Sequence, residues 1–103
     1  MHARVSTYQG PPNVTQEQVD EADRYDRENV LPAARQMEGF KGAIALLDRQ
    51  SGKALSVTLW ESEQAMRASE EDANRLRQES AEAANETVEN VERYEVTFFE
   101  MET

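Results

Sequence analysis

The apolar positions along this chain change period several times, and each change marks an element. Ala3 to Gln9 carries Val5, Thr7 and Tyr8, side chains suited to a pleated surface, and predicts a first strand. Gly10-Pro11-Pro12-Asn13 ends it. From Gln16 to Met37 the period lengthens: Val19, Ala22, Val30, Ala33 and Met37 fall near one face of a helix. Thr15 with Gln18 three residues on has the spacing of a capping box. Pro32 lacks an amide proton and crowds the turn before it, so the helix should kink or restart near Asn29, and Gly39 should stop it. Phe40 to Asp48 and Lys53 to Trp60 then predict two strands, and the short turn between them implies an antiparallel hairpin. Ser62 is placed to cap a second helix, with Ala65, Met66, Ser69, Ala73, Leu76, Ser80 and Ala83 on one stripe, fading near Asn85. Val91 to Met101 predicts the last strand, with Tyr94, Val96 and Phe98 on one face and Phe99 and Met101 on the other. Asp20-Arg24, Asp23-Arg27, Glu63-Arg67 and Glu71-Arg75 have i,i+4 spacing for wet-side ion pairs.

The order β-α-β-β-α-β predicts a single α+β domain with an antiparallel sheet. Both hairpin strands are apolar on both faces. Phe40, Ile44 and Leu46 alternate with Ala43, Ala45 and Leu47, and Leu55, Val57 and Leu59 alternate with Ala54 and Trp60. A sheet with one wet face alternates more cleanly, so something should cover each face. Two helices can cover one. A partner subunit is the economical cover for the other, which predicts a homodimer. Leu, Ile, Val and Phe total only 18 of 103 residues, so the core is thin and gains from a second copy.

Charge narrows the partners. With 21 acidic and 11 basic residues the net charge is -10, which argues against nucleic acid and against anionic membranes. There is no Cys, hence no disulfide framework and no thiolate chemistry. Met1 to Ser6 lacks an apolar signal core, and no apolar run approaches transmembrane length, so a cytoplasmic protein is expected.

Four stretches carry a family resemblance: Leu31-Pro32-Ala33 in the first helix, Gly39-Phe40 entering the second strand, Asp48 to Gly52 at the turn, and Trp60-Glu61-Ser62-Glu63 into the second helix. With the element order, they make the chain resemble the antibiotic biosynthesis monooxygenase-like family, the dimeric α+β barrels. The resemblance implies a ferredoxin-like subunit whose sheet packs on a partner's sheet. It implies a small-molecule pocket between sheet and helices, and cofactor-independent oxygenation of an aromatic or phenolic substrate. The haem-degrading branch of the family carries a second Trp nine positions after the strand-end Trp and an iron-ligating His ten further on. Those positions here are Ser69 and Glu79, so haem degradation is disfavoured.

Among candidate chemical groups, Trp60 can wall a pocket beside an aromatic ligand or simply anchor the strand-helix junction. Tyr25 and Asn29 lie four apart on the first helix and can share a face, where a hydroxyl and an amide could orient a phenolic oxygen. The plainer alternative is an Asn bonding loose backbone near the kink. Tyr8 can line a pocket or pack at an edge, and the lone His2 is more simply neither base nor ligand. One His and no Cys leave no zinc site, and no calcium loop, phosphate-binding loop or nucleophile elbow is present, so no cofactor is expected. Two functions remain: a small-molecule-binding oxygenase using Trp60, Tyr25 and Asn29, or a non-enzymatic binding or interaction module of the same fold.

Overall fold

The computed structural model describes residues 1–102. Four strands, β1 (His2–Gln9), β2 (Phe40–Asp48), β3 (Lys53–Trp60) and β4 (Thr87–Glu95), form one sheet in the order β2-β3-β1-β4, with every neighbouring pair antiparallel. The helices are α1 (Gln16–Tyr25), α2 (Leu31–Arg35), α3 (Glu63–Ala68) and α4 (Glu70–Ala83). The result is the expected ferredoxin-like α+β arrangement.

Thr15 caps α1 as its spacing predicts: its hydroxyl accepts from the Gln18 amide, and the Gln18 side chain accepts from the Thr15 amide. The break expected near Asn29 takes the form of a π-helical turn over Asp26–Val30, after which Pro32 sits in the first turn of α2, where its missing donor costs little. The wider turn rotates the inward face by one residue. Ala34 is buried and Ala33 is not, which corrects the expectation of Ala33. Gly39 then reverses the chain at φ +82, and a Cβ there would lie 2.5 Å from that of Ala65, so glycine is required twice over.

Ser62 caps α3 by accepting from the Ala65 amide at 3.1 Å. The second helix is not continuous. It breaks at Ser69, whose hydroxyl donates to the Met66 carbonyl at 2.7 Å and so competes with the helical ladder. It ends close to the expected place: Asn85 is left-handed at φ +57, and the Glu86 and Asn85 amides donate back to the Ala81 and Glu82 carbonyls. Of the i,i+4 pairs, Asp23–Arg27 and Glu63–Arg67 form, at 3.0 and 3.4 Å, whereas Arg75 turns to Asp72 rather than Glu71.

Two strand expectations need correction. β4 begins at Thr87 and ends at Glu95, rather than spanning Val91 to Met101. The full length of β1 needs a partner, and a register shift at Thr7/Tyr8 lets the polar Thr87–Asn90 segment supply it. Past Glu95 the Val96 amide still donates to the Met1 carbonyl at 2.9 Å, but Phe98 and Met101 are exposed. In β2 a bulge at Lys41 sets Phe40 opposite Trp60 and Gly42 opposite Leu59. Phe40 therefore shares a face with Ala43 and Trp60, not with Ile44 and Leu46, and its ring meets Trp60 edge-on at 5.5 Å.

Register settles which sheet face meets the helices. Arg4, Ser6 and Tyr8 of β1 stand beside Thr58, Ser56 and Ala54 of β3 and share their face. On β1 all three are buried. The opposite face carries Val5, Leu55, Val57, Leu59, Ile44, Leu46 and Tyr94, of which Ile44, Leu46 and Tyr94 are exposed. The core is as thin as the composition implies: its largest fully buried side chains are Trp60 and Met66.

Candidate functional site

Between the inner sheet face and the helices lies a half-open cavity of about 520 Å³. Its floor is the inner face just described, Arg4, Ser6, Tyr8, Ala54, Ser56, Thr58 and Trp60, extended on β2 by Ala43 and Ala45. Its walls include Val19, Val30, Leu31, Ala34 and Met37 from the first helical segment, and Ala73, Leu76, Arg77 and Ser80 from α4. The space follows from side-chain volume. Ala43, Ala45, Ala54 and Ala73 are too short to meet across it. Ala43 and Ala45 remain exposed although they face the helical side, so the mouth runs along β2. The size lies within the usual range for small-molecule sites.

Trp60, only 1% exposed, lies at the end of β3 and lines the cavity. Its indole Nε1 donates to Thr58 Oγ1 at 2.9 Å, and the Arg4 guanidinium lies 5.3 Å from its ring centre. Arg4 is itself held from below. Its Nη2 donates to the Met66 carbonyl at 2.7 Å, to Ser69 Oγ at 3.0 Å and to Glu70 Oε1 at 2.9 Å. Glu70 also accepts from Nε and Nη2 of Arg93 on β4, at 2.7 and 2.6 Å. These bonds, the Arg93 pair above all, hold the Glu70 carboxyl down at about 2. The break at Ser69 thus has a use: it presents a carbonyl and a hydroxyl to a buried cation.

The far end of the cavity is acidic. Asp26, in the π turn, accepts from Ser80 Oγ at 3.3 Å, and burial raises its pKa. Glu86 is raised too, first by burial and then by the charge of Asp26. Both also border a second cavity of about 390 Å³, together with Tyr25, Gln18 and Asn85. Tyr8 Oη and Ser56 Oγ, 3.1 Å apart, form a hydroxyl pair on the floor.

Of the residues singled out in the sequence, Trp60 and Tyr8 line the main cavity, and Tyr25 borders the second. Asn29 is exposed, lines neither, and donates through Nδ2 to the Tyr25 carbonyl at 3.1 Å. His2 lies 4.0 Å from Glu63. Arg4, Arg77 and Asp26 were not singled out. A signal for Arg4 existed in the alternation Arg4-Ser6-Tyr8, which reads as a wet strand face until the register turns it inward. Among the described residues no three His, Cys, Asp or Glu side chains converge as metal ligands, and no helix is long and apolar enough to cross a membrane.

No family model matches the chain. It is 35% identical over 82 residues to the uncharacterised protein Rv2557 of Mycobacterium tuberculosis, an alignment covering 80% of this chain and 35% of that protein. The chain therefore spans about a third of the length of that curated relative. Among solved structures, an antibiotic biosynthesis monooxygenase-type protein from Deinococcus radiodurans aligns over 100% of this chain and 99% of its own, with TM-score 0.64 and 17% identity. The ActVA-Orf6 monooxygenase of Streptomyces coelicolor, solved with nanaomycin D, aligns over 99% and 92%, with TM-score 0.67 and 15% identity. A dimeric ferredoxin-like protein from an uncultured marine organism aligns over 98% and 93%, with TM-score 0.55 and 10% identity. At these identities the likeness is one of fold: this chain has the ferredoxin-like α+β fold of the antibiotic biosynthesis monooxygenase-type proteins.

Proposed function

We propose that the chain is a small-molecule-binding homodimer that oxygenates an aromatic, phenolic substrate without a cofactor. The observation that carries this reading is the half-open cavity of about 520 Å³ beside Trp60, with apolar side chains along the helices and polar groups on its floor and at its acidic end. ActVA-Orf6, a monooxygenase solved with a bound ligand, has the same fold and lends support. The homodimer rests on the apolar outer face of the sheet, where Ile44 is 44% exposed and Leu46 49%, and on the dimeric ferredoxin-like neighbour.

In this reading the substrate supplies the electrons. An activated ring CH₂ loses a proton to Asp26, whose raised pKa makes it a stronger base than an ordinary aspartate. The carbanion reacts with O₂ to give a carbon-bound peroxide. The peroxide takes up a proton and loses water, so that CH₂ and O₂ become C=O and H₂O. Tyr8, Ser56 and Thr58 bind the phenolic oxygens, and Trp60 fixes the plane of the ring.

Anthrones and hydroquinones, offered to the protein in an oxygen electrode with Trp60 fluorescence followed in parallel, test this. With anthrones, which carry the activated CH₂, fluorescence quenching and oxygen uptake above the protein-free rate support the reading, and Asp26→Asn should then lower the rate by about a hundredfold. Quenching without uptake would assign the fold to a non-enzymatic binding module. No binding of either class sinks both.

A further inference from the structure

Three arginines line the cavity. Arg27 is exposed and paired with Asp23 at 3.0 Å. The other two are buried and differ in one respect. Arg4, 3% exposed, has a carbonyl, a hydroxyl and a carboxylate as acceptors. Arg77, 7% exposed, makes no side-chain hydrogen bond and no ion pair among the described residues. The carboxylate whose charge acts on it, Glu70, is already committed to Arg4 and Arg93. A guanidinium carries five donors and stays charged, so holding one in a nine-tenths buried position without an acceptor is costly. The sealed, unpartnered side-chain atoms of the described residues are His2 Nδ1 and Arg4 Nε; the Arg77 nitrogens are not among them and keep an opening to the cavity they line.

We propose that Arg77 is the anchor for an anionic group of the ligand, and that the ligand is an aromatic monoanion, its oxyanion on Arg77 and its ring against Trp60 and the apolar wall. This rests on the small-molecule reading of the same cavity and adds the charge of what it takes. The rest of the cavity agrees. One guanidinium is free, so one negative charge is matched. The acidic end, Asp26 and Glu86, repels that charge and sets the ligand's direction. Val30, Leu31, Ala34, Met37 and Leu76 give the helical side apolar surface for the ring. The net charge of -10 would turn anions away from the outer surface, so a desolvated cation inside is what makes binding selective.

The test is calorimetric titration with lawsone, a hydroxynaphthoquinone ionised at neutral pH, against lawsone methyl ether, the same skeleton without the charge. Wild type should bind the anion about tenfold or more tightly than the ether. Arg77→Met should abolish that preference while leaving ether affinity within about twofold. Without ligand, Arg77→Met should melt roughly 4 °C or more above wild type, because it removes an uncompensated buried cation and keeps its volume. Arg77→Lys should retain part of the anion preference. Equal binding of the two compounds by wild type overturns this inference and leaves the binding reading standing. Survival of the preference in Arg77→Met, or a lowered melting temperature in that variant, overturns it as well. Binding of neither compound fails both.

Discussion

The two faces of this sheet are patterned the wrong way round for a monomeric α+β domain. The face under the helices is studded with Arg4, Ser6, Tyr8, Ser56, Thr58 and Arg93, while the face away from them carries Val5, Leu55, Val57, Leu59, Ile44 and Leu46. Ordinary patterning puts the apolar side in and the polar side out. The inversion teaches that the helix-side layer encloses a cavity, and that its polar groups are tolerated where they find partners. Arg4 binds the break between α3 and α4, Trp60 bonds Thr58, and Tyr8 bonds Ser56. The stabilising apolar surface is left on the other side, where a second subunit can bury it.

Breaking the outer face should have the largest effect. Ile44→Glu with Leu46→Glu would place two unpaired carboxylates in the centre of the proposed dimer contact, each costing about 3–5 kcal/mol if buried there. Sedimentation velocity should show a concentration-dependent dimer for wild type and a monomer for the double variant, with a lower melting temperature because the thin core loses its cover. A dimer of unchanged strength would show that the inverted pattern has another cause.

Breaking the inner face at its ion network should cost less. Glu70→Gln keeps the side-chain shape but takes the counter-charge from the buried Arg4. About 2 kcal/mol of stability should be lost, moderated because the carboxylate is partly open to solvent. The same group gives an acid signature. The Glu70 pKa is held below its unfolded value, from 4.5 to about 2, so the folded state binds fewer protons than the unfolded one in that interval. Its contribution is complete above about pH 4.5 and is lost as pH falls towards 2. Urea titrations across that window should show wild type losing stability more steeply than Glu70→Gln.

Much of the outer pattern was legible in the sequence, and the inner one was not. Leu55, Val57 and Leu59 show their period-two alternation directly, as do Ile44 and Leu46, and the need for a second cover follows. The caps at Thr15 and Ser62 and the stops at Gly39 and Asn85 are local chemistry, carried within a few residues. What stayed hidden depends on register and phase. The bulge at Lys41 moves Phe40 to the other face, and its one local sign is Gly42, since a glycine inside a strand marks a bulge without saying which side chains it shifts. The π turn rotates α2 by one residue, so i,i+4 spacing could put Tyr25 and Asn29 on one helix face but could not say what that face meets. The alternation Arg4-Ser6-Tyr8 read as a wet strand face, because what buries Arg4 is distant in sequence, and nothing local marked Arg77 as buried. Glu70, which holds Arg4, is 66 residues away in sequence.

The acidic end of the cavity offers the smallest effect and the sharpest contrast, because its sign is opposite to that of Glu70. Burial raises the pKa values of Asp26 and Glu86, and in Glu86 the neighbouring Asp26 charge adds to it. Raised carboxyls bind protons more tightly in the folded state than in the unfolded one. Stability from this pair is therefore fullest below their ordinary values and declines as pH rises through the raised ones. Asp26→Asn should remove that decline and, by relieving the repulsion, bring the Glu86 pKa back towards its ordinary value. Carboxyl-resolved NMR titration measures the second effect directly. The gain in stability at neutral pH should be about 1 kcal/mol or less, because Ser80 partly compensates the carboxylate by hydrogen bonding. Asp26→Asn should therefore be more stable at neutral pH and less active, as expected of a group retained for chemistry rather than for the fold. A variant that is less stable at neutral pH would place Asp26 with Arg4 among the groups that hold the sheet to the helices.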